Sequence, residues 1–430
     1  MTADATRNKQ HTTPITQHLS RITHHASRLT SHVLLIWLAW AAILLGYQAL
    51  LPARLTLQRP DRALFWTPNE TAAKSQNDKP YLLDPFMNAQ VSWDSEFYLA
   101  IATGGYDDPA VRAVPADGRQ LSLSYAFLPF YPSMMKAVAA PLRLMGMRPI
   151  AAATLAGVLV SLLGTLAGML ALYDLTRGEL EEDGGLRAAF YLVIFPTGFF
   201  LAQVYTEGLF VGLAFGSLAL MKRRRLGWAG LLAVLATWTR LVGVGLAIPL
   251  ALAWWREVRA KGLGLRSLPR WLLAEGLAPL APLAALLAWR LSPWGRANEL
   301  IEAKFFSRGF FLVAQTLEAW QQGLASTAGN SQAAVYYGLE IALIALALVA
   351  CLVTLRRDPG LACFGLVVLA ISFFSGVAQS VGRYVIVIPS LYLFLGRLGR
   401  HEAFDRAWTL ASVLLMGLLA TLFTFDMWVA

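Results

Sequence analysis

The sequence predicts an all-α polytopic membrane protein, and three observations carry that reading. Of 430 residues, 57% are hydrophobic and only 14% charged, whereas soluble globular chains average ~45–50% and ~25%. The apolar residues fall in successive runs long enough to cross a bilayer. Lys and Arg outnumber Asp and Glu by 36 to 26, and the basic residues gather in short clusters between those runs, as cytoplasmic loops do. The net charge of +10 is therefore an orientation signal, and nucleic acid is not an expected partner. Cys351 and Cys363 both lie in apolar runs, which excludes a disulfide framework and a cysteine metal site.

Residues 1–32 are rich in Ser, Thr and His, lack apolar periodicity and read as a disordered cytoplasmic tail. Residues 33–430 form the transmembrane domain. Its first span runs about Val33 to Leu51, and the arginines before it set the N-terminus inside. A first external loop follows over 52–149, interrupted by Pro60, Pro68, Pro80, Pro85, Pro109 and Pro115. Within it, Trp93–Ala102 and Phe127–Met147 read as amphipathic helices at the interface. Further spans are expected at Ile150–Tyr173, Ala188–Tyr205 and Gly208–Met221, with a short charged loop at 174–187. The run Lys222-Arg223-Arg224-Arg225 marks the inside after the last of these.

The stretch 226–255 is basic on both flanks. It is therefore read as two short helices, Gly227–Trp238 and Val242–Trp255, turning near Arg240. Spans at Trp271–Leu291, Val335–Leu355, Leu361–Gln379, Val381–Gly396 and Ala407–Phe425 complete a count of about eleven, with a second external loop at 292–334. No internal repeat of the kind common in transporters and no phosphate-binding glycine motif is visible. Five of the six histidines lie in the N-terminal tail and the sixth, His401, in a cytoplasmic loop, so histidine base catalysis outside is not expected.

This topology brings ionisable residues from four segments to the external face: Asp94 and Glu96 in the first loop, Glu207 at a turn, Arg240 at the turn of the short pair, and Arg383 at the start of a span. Charges at membrane depth are costly and mark function. A carboxylate can take a proton from an acceptor hydroxyl, and guanidinium groups can hold a departing phosphate bidentately. A lipid-linked phosphosugar fits that chemistry. Each residue also has an ordinary reading. Asp94 can cap a helix after a belt tryptophan, Glu207 can be a solvated turn residue, and Arg240, Arg290 and Arg383 can snorkel to the interface. Glu340 and Glu275 read as wet or packed helix-end residues. The aromatic stripe Phe305, Phe306, Phe310, Phe311 and Trp320 reads as the buried face of an interfacial helix.

Several blocks resemble a known family. Trp93-Asp94-Ser95-Glu96-Phe97-Tyr98-Leu99-Ala100-Ile101-Ala102-Thr103-Gly104-Gly105-Tyr106 is similar to the signature of the PIG-V-type mannosyltransferases, which add the second mannose to glycosylphosphatidylinositol precursors and have many bacterial relatives. Ala126–Pro132, Val204–Phe210, Ala236–Gly243 and, more weakly, Gly382-Arg383-Tyr384 with Pro389 resemble further elements of that family, in family order. The long, proline-interrupted stretch before Asp94 departs from the pattern.

The resemblance implies a GT-C architecture and an inverting glycosyltransferase that uses a polyprenyl-phosphate sugar, mannose in this family, as donor. It implies Asp94 as the base. Glu207 maps onto a family motif and is a second catalytic candidate, while Arg240 and Arg383 are assigned to the donor phosphate. Trp93, Glu96, Tyr98, Tyr131, Tyr205 and Tyr384 are expected to line the substrate pocket. Asp94 and Glu96 are two residues apart, about 200° around a helix, so no divalent metal is expected and no cofactor beyond the donor. The expected partners are membrane lipids, the lipid-linked sugar and a glycolipid, glycan or protein acceptor. The expected location is a bacterial plasma membrane, with the site facing outside. The rival readings are a lipid or oligosaccharide transporter and a non-catalytic subunit of a glycosylation complex.

Overall fold

The computed structural model describes residues 14–55, 79–262, 267 and 269–429. The first helix, α1 (Pro14–Arg54), contains the expected first span but begins inside the stretch read as a disordered tail, whose residues 1–13 lie outside the described residues. Residues 56–78 of the first external loop also lie outside them. The rest of that loop holds the two expected short helices, α2 (Ser95–Thr103) and α3 (Phe130–Leu144). Between them lies an exception to the all-α reading. Strands β1 (Ala113–Ala116) and β2 (Arg119–Ser122) pair antiparallel around Asp117-Gly118, both at positive φ (52° and 71°). Asp-Gly is favoured where a two-residue turn needs that conformation twice.

Helix α4 (Pro149–Ile194) joins two expected spans. The charged stretch between them is helical and not a loop, apart from a break at Glu181 (φ 63°, ψ −177°). Next come α5 (Glu207–Lys222), α6 (Leu226–Thr239) and, after a 3₁₀ turn at Leu241–Leu246, α7 (Ala247–Ala260). The turn near Arg240 is thus where the basic flanks put it. The expected span at 271–291 is split into α8 (Arg270–Glu275) and α9 (Ala281–Leu291), with Pro279 and Pro282 at the break. The second external loop holds α10 (Pro293–Lys304) and α11 (Val313–Ala325). Then follow α12 (Ser331–Leu355), α13 (Pro359–Phe373), α14 (Val381–Val385), α15 (Pro389–Leu398) and α16 (Glu402–Thr424). Pro389 splits the span expected at 381–396.

Five helical runs among the described residues are long and apolar enough to cross a membrane: Thr30–Arg54, Pro149–Ile194, Leu241–Ala260, Ser331–Leu355 and Glu402–Thr424. Three shorter ones, Leu226–Thr239, Ala281–Leu291 and Pro359–Phe373, are also apolar. The expected count of eleven does not follow from these lengths, because several expected spans are broken at prolines or turns. Leu35, Ile43 and Leu50 on α1, Val335 and Leu352 on α12, and Leu410 and Leu414 on α16 are all exposed. Apolar surface on this scale belongs in lipid, and the protein is a multi-pass membrane protein. Helices α4 and α5 pack at the centre, where Phe195, Phe199, Phe200, Phe210 and Phe215 are fully buried. The start of α5 and the end of α6 lie together, at the end of α5 opposite Arg223–Arg225, and the charged residues meet there.

Candidate active site

The site is built around a backbone anomaly. Trp93 has φ 53°, a real outlier for a bulky residue and the kind of strain that surrounding contacts must hold. Its indole N–H donates to the Met427 carbonyl at 3.3 Å. Its ring meets Trp428 edge-on, and the Lys79 ammonium sits 4.1 Å from its face. Lys79 in turn is paired with the buried Asp426 at 2.7 Å. This fold of the chain places Asp94 immediately before α2, where its side chain makes no capping bond. The helix-cap reading of Asp94 is therefore excluded. The carboxylate turns instead to Arg383, whose Nη1 donates to Asp94 Oδ2 at 2.8 Å.

Arg383 also meets Glu207, its Nε lying 3.4 Å from Oε1. The same Glu207 oxygen accepts from Arg240 Nη1, which donates to Thr206 Oγ1 as well at 3.1 Å. Arg240 occupies the extended residue (φ −148°, ψ 134°) that ends α6. Gly243 permits that turn, since a Cβ there would stand 2.6 Å from the Ala236 carbonyl carbon on α6. The Arg240 guanidinium lies 4.2 Å from the Tyr384 ring centroid, a cation–π contact. Asp94, Arg383, Glu207 and Arg240 form one run of alternating charge drawn from four elements.

A cavity of about 800 Å³ opens beside this run. Asp94, Arg240 and Arg383 line it, with Trp93, Glu96, Tyr98, Tyr205 and Tyr384. Glu207 and Tyr131 do not. Glu207 is 0% exposed against 25% for the Asp94 side chain, so Glu207 lies behind the arginines and outside the cavity lining. Tyr131 is an interior residue, donating to the Gly157 carbonyl at 3.1 Å. Tyr205 acts through the backbone: its hydroxyl accepts from the Asp94 N–H at 3.1 Å and donates to the Ser92 carbonyl at 3.2 Å. Glu96 has a partner of its own, accepting from the Tyr81 N–H at 3.1 Å, and its burial pushes the carboxyl up to about 8. Glu340 is a packed residue, accepting from the Gly382 N–H at 2.6 Å and so fixing the backbone next to Arg383.

Some residues of the site escape a reading of the sequence. Arg308, Lys79, Glu302 and Trp428 all line the cavity. The Phe305–Phe311 stripe is not a helix, because α10 ends at Lys304 and α11 begins at Val313. Phe306 packs instead on Phe97 and Phe127 at the cavity wall. A lone arginine inside that aromatic stripe was the available signal.

Fold and site define a class: multi-pass membrane proteins with a charged cavity framed by helix ends and by loops of an extramembrane segment. Residues 34–247, about half of the chain, match the family model described as Mannosyltransferase (PIG-V). The chain belongs to that family and is a mannosyltransferase. Comparison with curated proteins gives no match. Among solved structures, the chain is similar to ArnT from Cupriavidus metallidurans, bound to undecaprenyl phosphate, at 14% identity and a TM-score of 0.44, over 78% of this chain and 72% of that one. It is also similar to the oligosaccharyltransferase AglB from Archaeoglobus fulgidus, in complex with an inhibitory peptide and a dolichol-phosphate, at 14% identity and a TM-score of 0.43. That match covers 91% of this chain and 55% of AglB, so the chain spans little more than half the archaeal protein's length.

Proposed function

We propose that this mannosyltransferase takes its sugar from a polyprenyl-phosphate-linked donor and transfers it with inversion. Asp94 accepts the proton of an acceptor hydroxyl, and that oxygen attacks the anomeric carbon. The bond from that carbon to the phosphate oxygen breaks on the opposite face. The departing polyprenyl phosphate keeps the bonding electron pair and is held by Arg240 and Arg383. Glu207 is the counter-charge that keeps both guanidinium groups in place. The acceptor is a hydroxyl of a glycolipid, glycan or protein. The site opens outside the plasma membrane, with the N-terminus within, a topology that rests on the basic run at Lys222–Arg225. No divalent metal enters the proposal, since Asp94 and Glu96 turn to different partners.

The observation that carries this reading is the pairing within one cavity of a part-exposed carboxylate with two buried arginines. Arg383 has five N–H donors and can keep Asp94 Oδ2 while donating to a phosphate. Asp94 Oδ1 has no hydrogen-bond partner among the described residues. The test uses purified protein, labelled polyprenyl-phosphate mannose and a glycolipid extract as the acceptor source. Release of polyprenyl phosphate that depends on the extract, and that disappears in Asp94→Asn, is the expected result. Turnover by Asp94→Asn at the wild-type rate overturns the assignment.

A further inference from the structure

We propose that Arg308, carried by a strained strap of the second external loop, is a third arginine that grips the donor phosphate. This rests on the donor reading above and adds a residue to it. Arg308 lines the cavity, and its Nη1 donates to the Tyr384 hydroxyl at 3.2 Å. The face of the same Tyr384 ring carries Arg240, and the Arg383 guanidinium lies 5.7 Å from its centroid. One aromatic ring therefore collects three guanidinium groups at the cavity wall. Like charges are gathered in this way where an anion will compensate them.

Arg308 differs from the other two arginines in its pairing. Arg240 is paired with Glu207, and Arg383 with Asp94. Arg308 makes no ion pair among the described residues. The carboxyl placed to offset it, Glu302, is pushed up to about 7 by burial and is only partly ionised near neutrality. Arg112 also lines the cavity without an ion pair among the described residues, but it lies against Phe305; Arg308 is the unpaired guanidinium that shares Tyr384 with the two assigned to phosphate.

The backbone holds Arg308 in place at some cost. Ser307 and Phe311 have φ of 53° and 56°, a left-handed conformation that is unfavourable for both side chains. Hydrogen bonds pin the segment despite this. The Gly309 and Leu312 N–H groups donate to the Ser375 and Phe374 carbonyls, each at 2.9 Å, and Gln315 Nε2 donates to the Ser307 carbonyl at 3.0 Å. Strain held by specific bonds around one cavity-facing arginine is the pattern of a positioned ligand group.

The experiment measures binding of a short-chain polyprenyl phosphate to the purified full-length protein, with the corresponding polyprenol as control. Arg308→Gln is expected to weaken phosphate-lipid binding roughly tenfold to a hundredfold, the range of a charge-assisted hydrogen bond. Polyprenol binding and the unfolding temperature without lipid should be unchanged, and Arg308→Lys should fall between wild type and Arg308→Gln. Tyr384→Phe, which removes the hydroxyl on which Arg308 leans, should cost less than Arg308→Gln. Equal losses would make Arg308 a prop for Tyr384 and overturn the inference, as would wild-type affinity in Arg308→Gln. If wild-type protein fails to distinguish the phosphate from the alcohol, the donor reading itself falls. If it distinguishes them and Arg308→Gln does so equally well, only the role of Arg308 falls.

Discussion

Arg383 Nη1 stands 2.8 Å from Asp94 Oδ2, although 289 residues separate the two in sequence. Nε of the same guanidinium stands 3.4 Å from Glu207. One side chain therefore joins the part-exposed carboxylate to the buried one. An ammonium is a point charge without the planar fork that spans two partners. Arg383→Lys is accordingly expected to lower transfer by about a hundredfold or more, within the range lost when a preorganised donor is removed, while leaving the protein folded. Transfer rate and unfolding temperature measured on the same preparation check this. Near-wild-type turnover would show that bridging two acids is not what Arg383 contributes.

Glu207 has no exposure, and two guanidinium groups converge on one of its oxygens. Removing one partner from a buried charge cluster leaves the others uncompensated, typically at about 3–5 kcal/mol. Glu207→Gln should therefore lower stability by that order, seen as a fall in the unfolding midpoint in detergent. Asp94→Asn, at a more exposed position, should cost much less stability while removing activity. Equal stability of the two variants would contradict the placement of Glu207 as the inner counter-charge.

Much of this arrangement was legible in the chain. Asp94, Glu207, Arg240 and Arg383 stood out because the expected topology brings charges from four segments to one membrane face, where they are costly, and the basic flanks of 226–255 located the turn at Arg240. What decided their separate places was not local. Whether Asp94 or Glu207 faces the cavity depends on how α5 seats against α4 and on the positive φ of Trp93, which is fixed by Met427 and Trp428 from the far end of the chain. Arg308 was hidden by an aromatic stripe with helical spacing, which tertiary contacts with Phe97 and Phe127 draw out as an irregular strap. The charged stretch after Tyr173 looks like a loop by composition, yet it continues the helix up to Glu181. Expected spans at 271–291 and 381–396 break at prolines whose effect on crossing number cannot be counted from hydropathy alone.

Glu96 supplies a pH dependence. Its carboxyl is raised by burial from an ordinary value of 4.5 to about 8, with Lys79 opposing the shift and Asp426 adding to it. A carboxyl raised on folding contributes fully below its ordinary value and loses that contribution as pH rises through the folded one. Stability should therefore decline across about pH 4.5 to 8, and Glu96→Gln should remove part of that slope. Glu302 is raised in the same direction but is present in both proteins, so the difference between their unfolding curves isolates Glu96. A difference that stays constant across the window would refute the burial of an ionisable Glu96.

The seating of Glu207 rests on glycines between α4 and α5. A Cβ on Gly164 would stand 2.6 Å from the Gly208 carbonyl oxygen, one on Gly212 would stand 2.5 Å from the Gly164 oxygen, and one on Gly208 would collide with the Ser161 carbonyl. Small residues let membrane helices approach at backbone distance, and here each neighbour is backbone that cannot rotate aside. Gly212→Ala must therefore push α5 outward and carry Glu207, its first residue, away from Arg240 and Arg383. The expected cost is about 1–3 kcal/mol of stability, as for other overpacked cores, with a loss of transfer comparable to that of Glu207→Gln. Gly227→Ala is the control, because nothing lies within 4 Å of a Cβ there, and alanine in a helix is favoured over glycine. It should leave activity unchanged and stability equal or higher. If Gly212→Ala behaves like Gly227→Ala, the close approach of α4 and α5 does not set the position of Glu207.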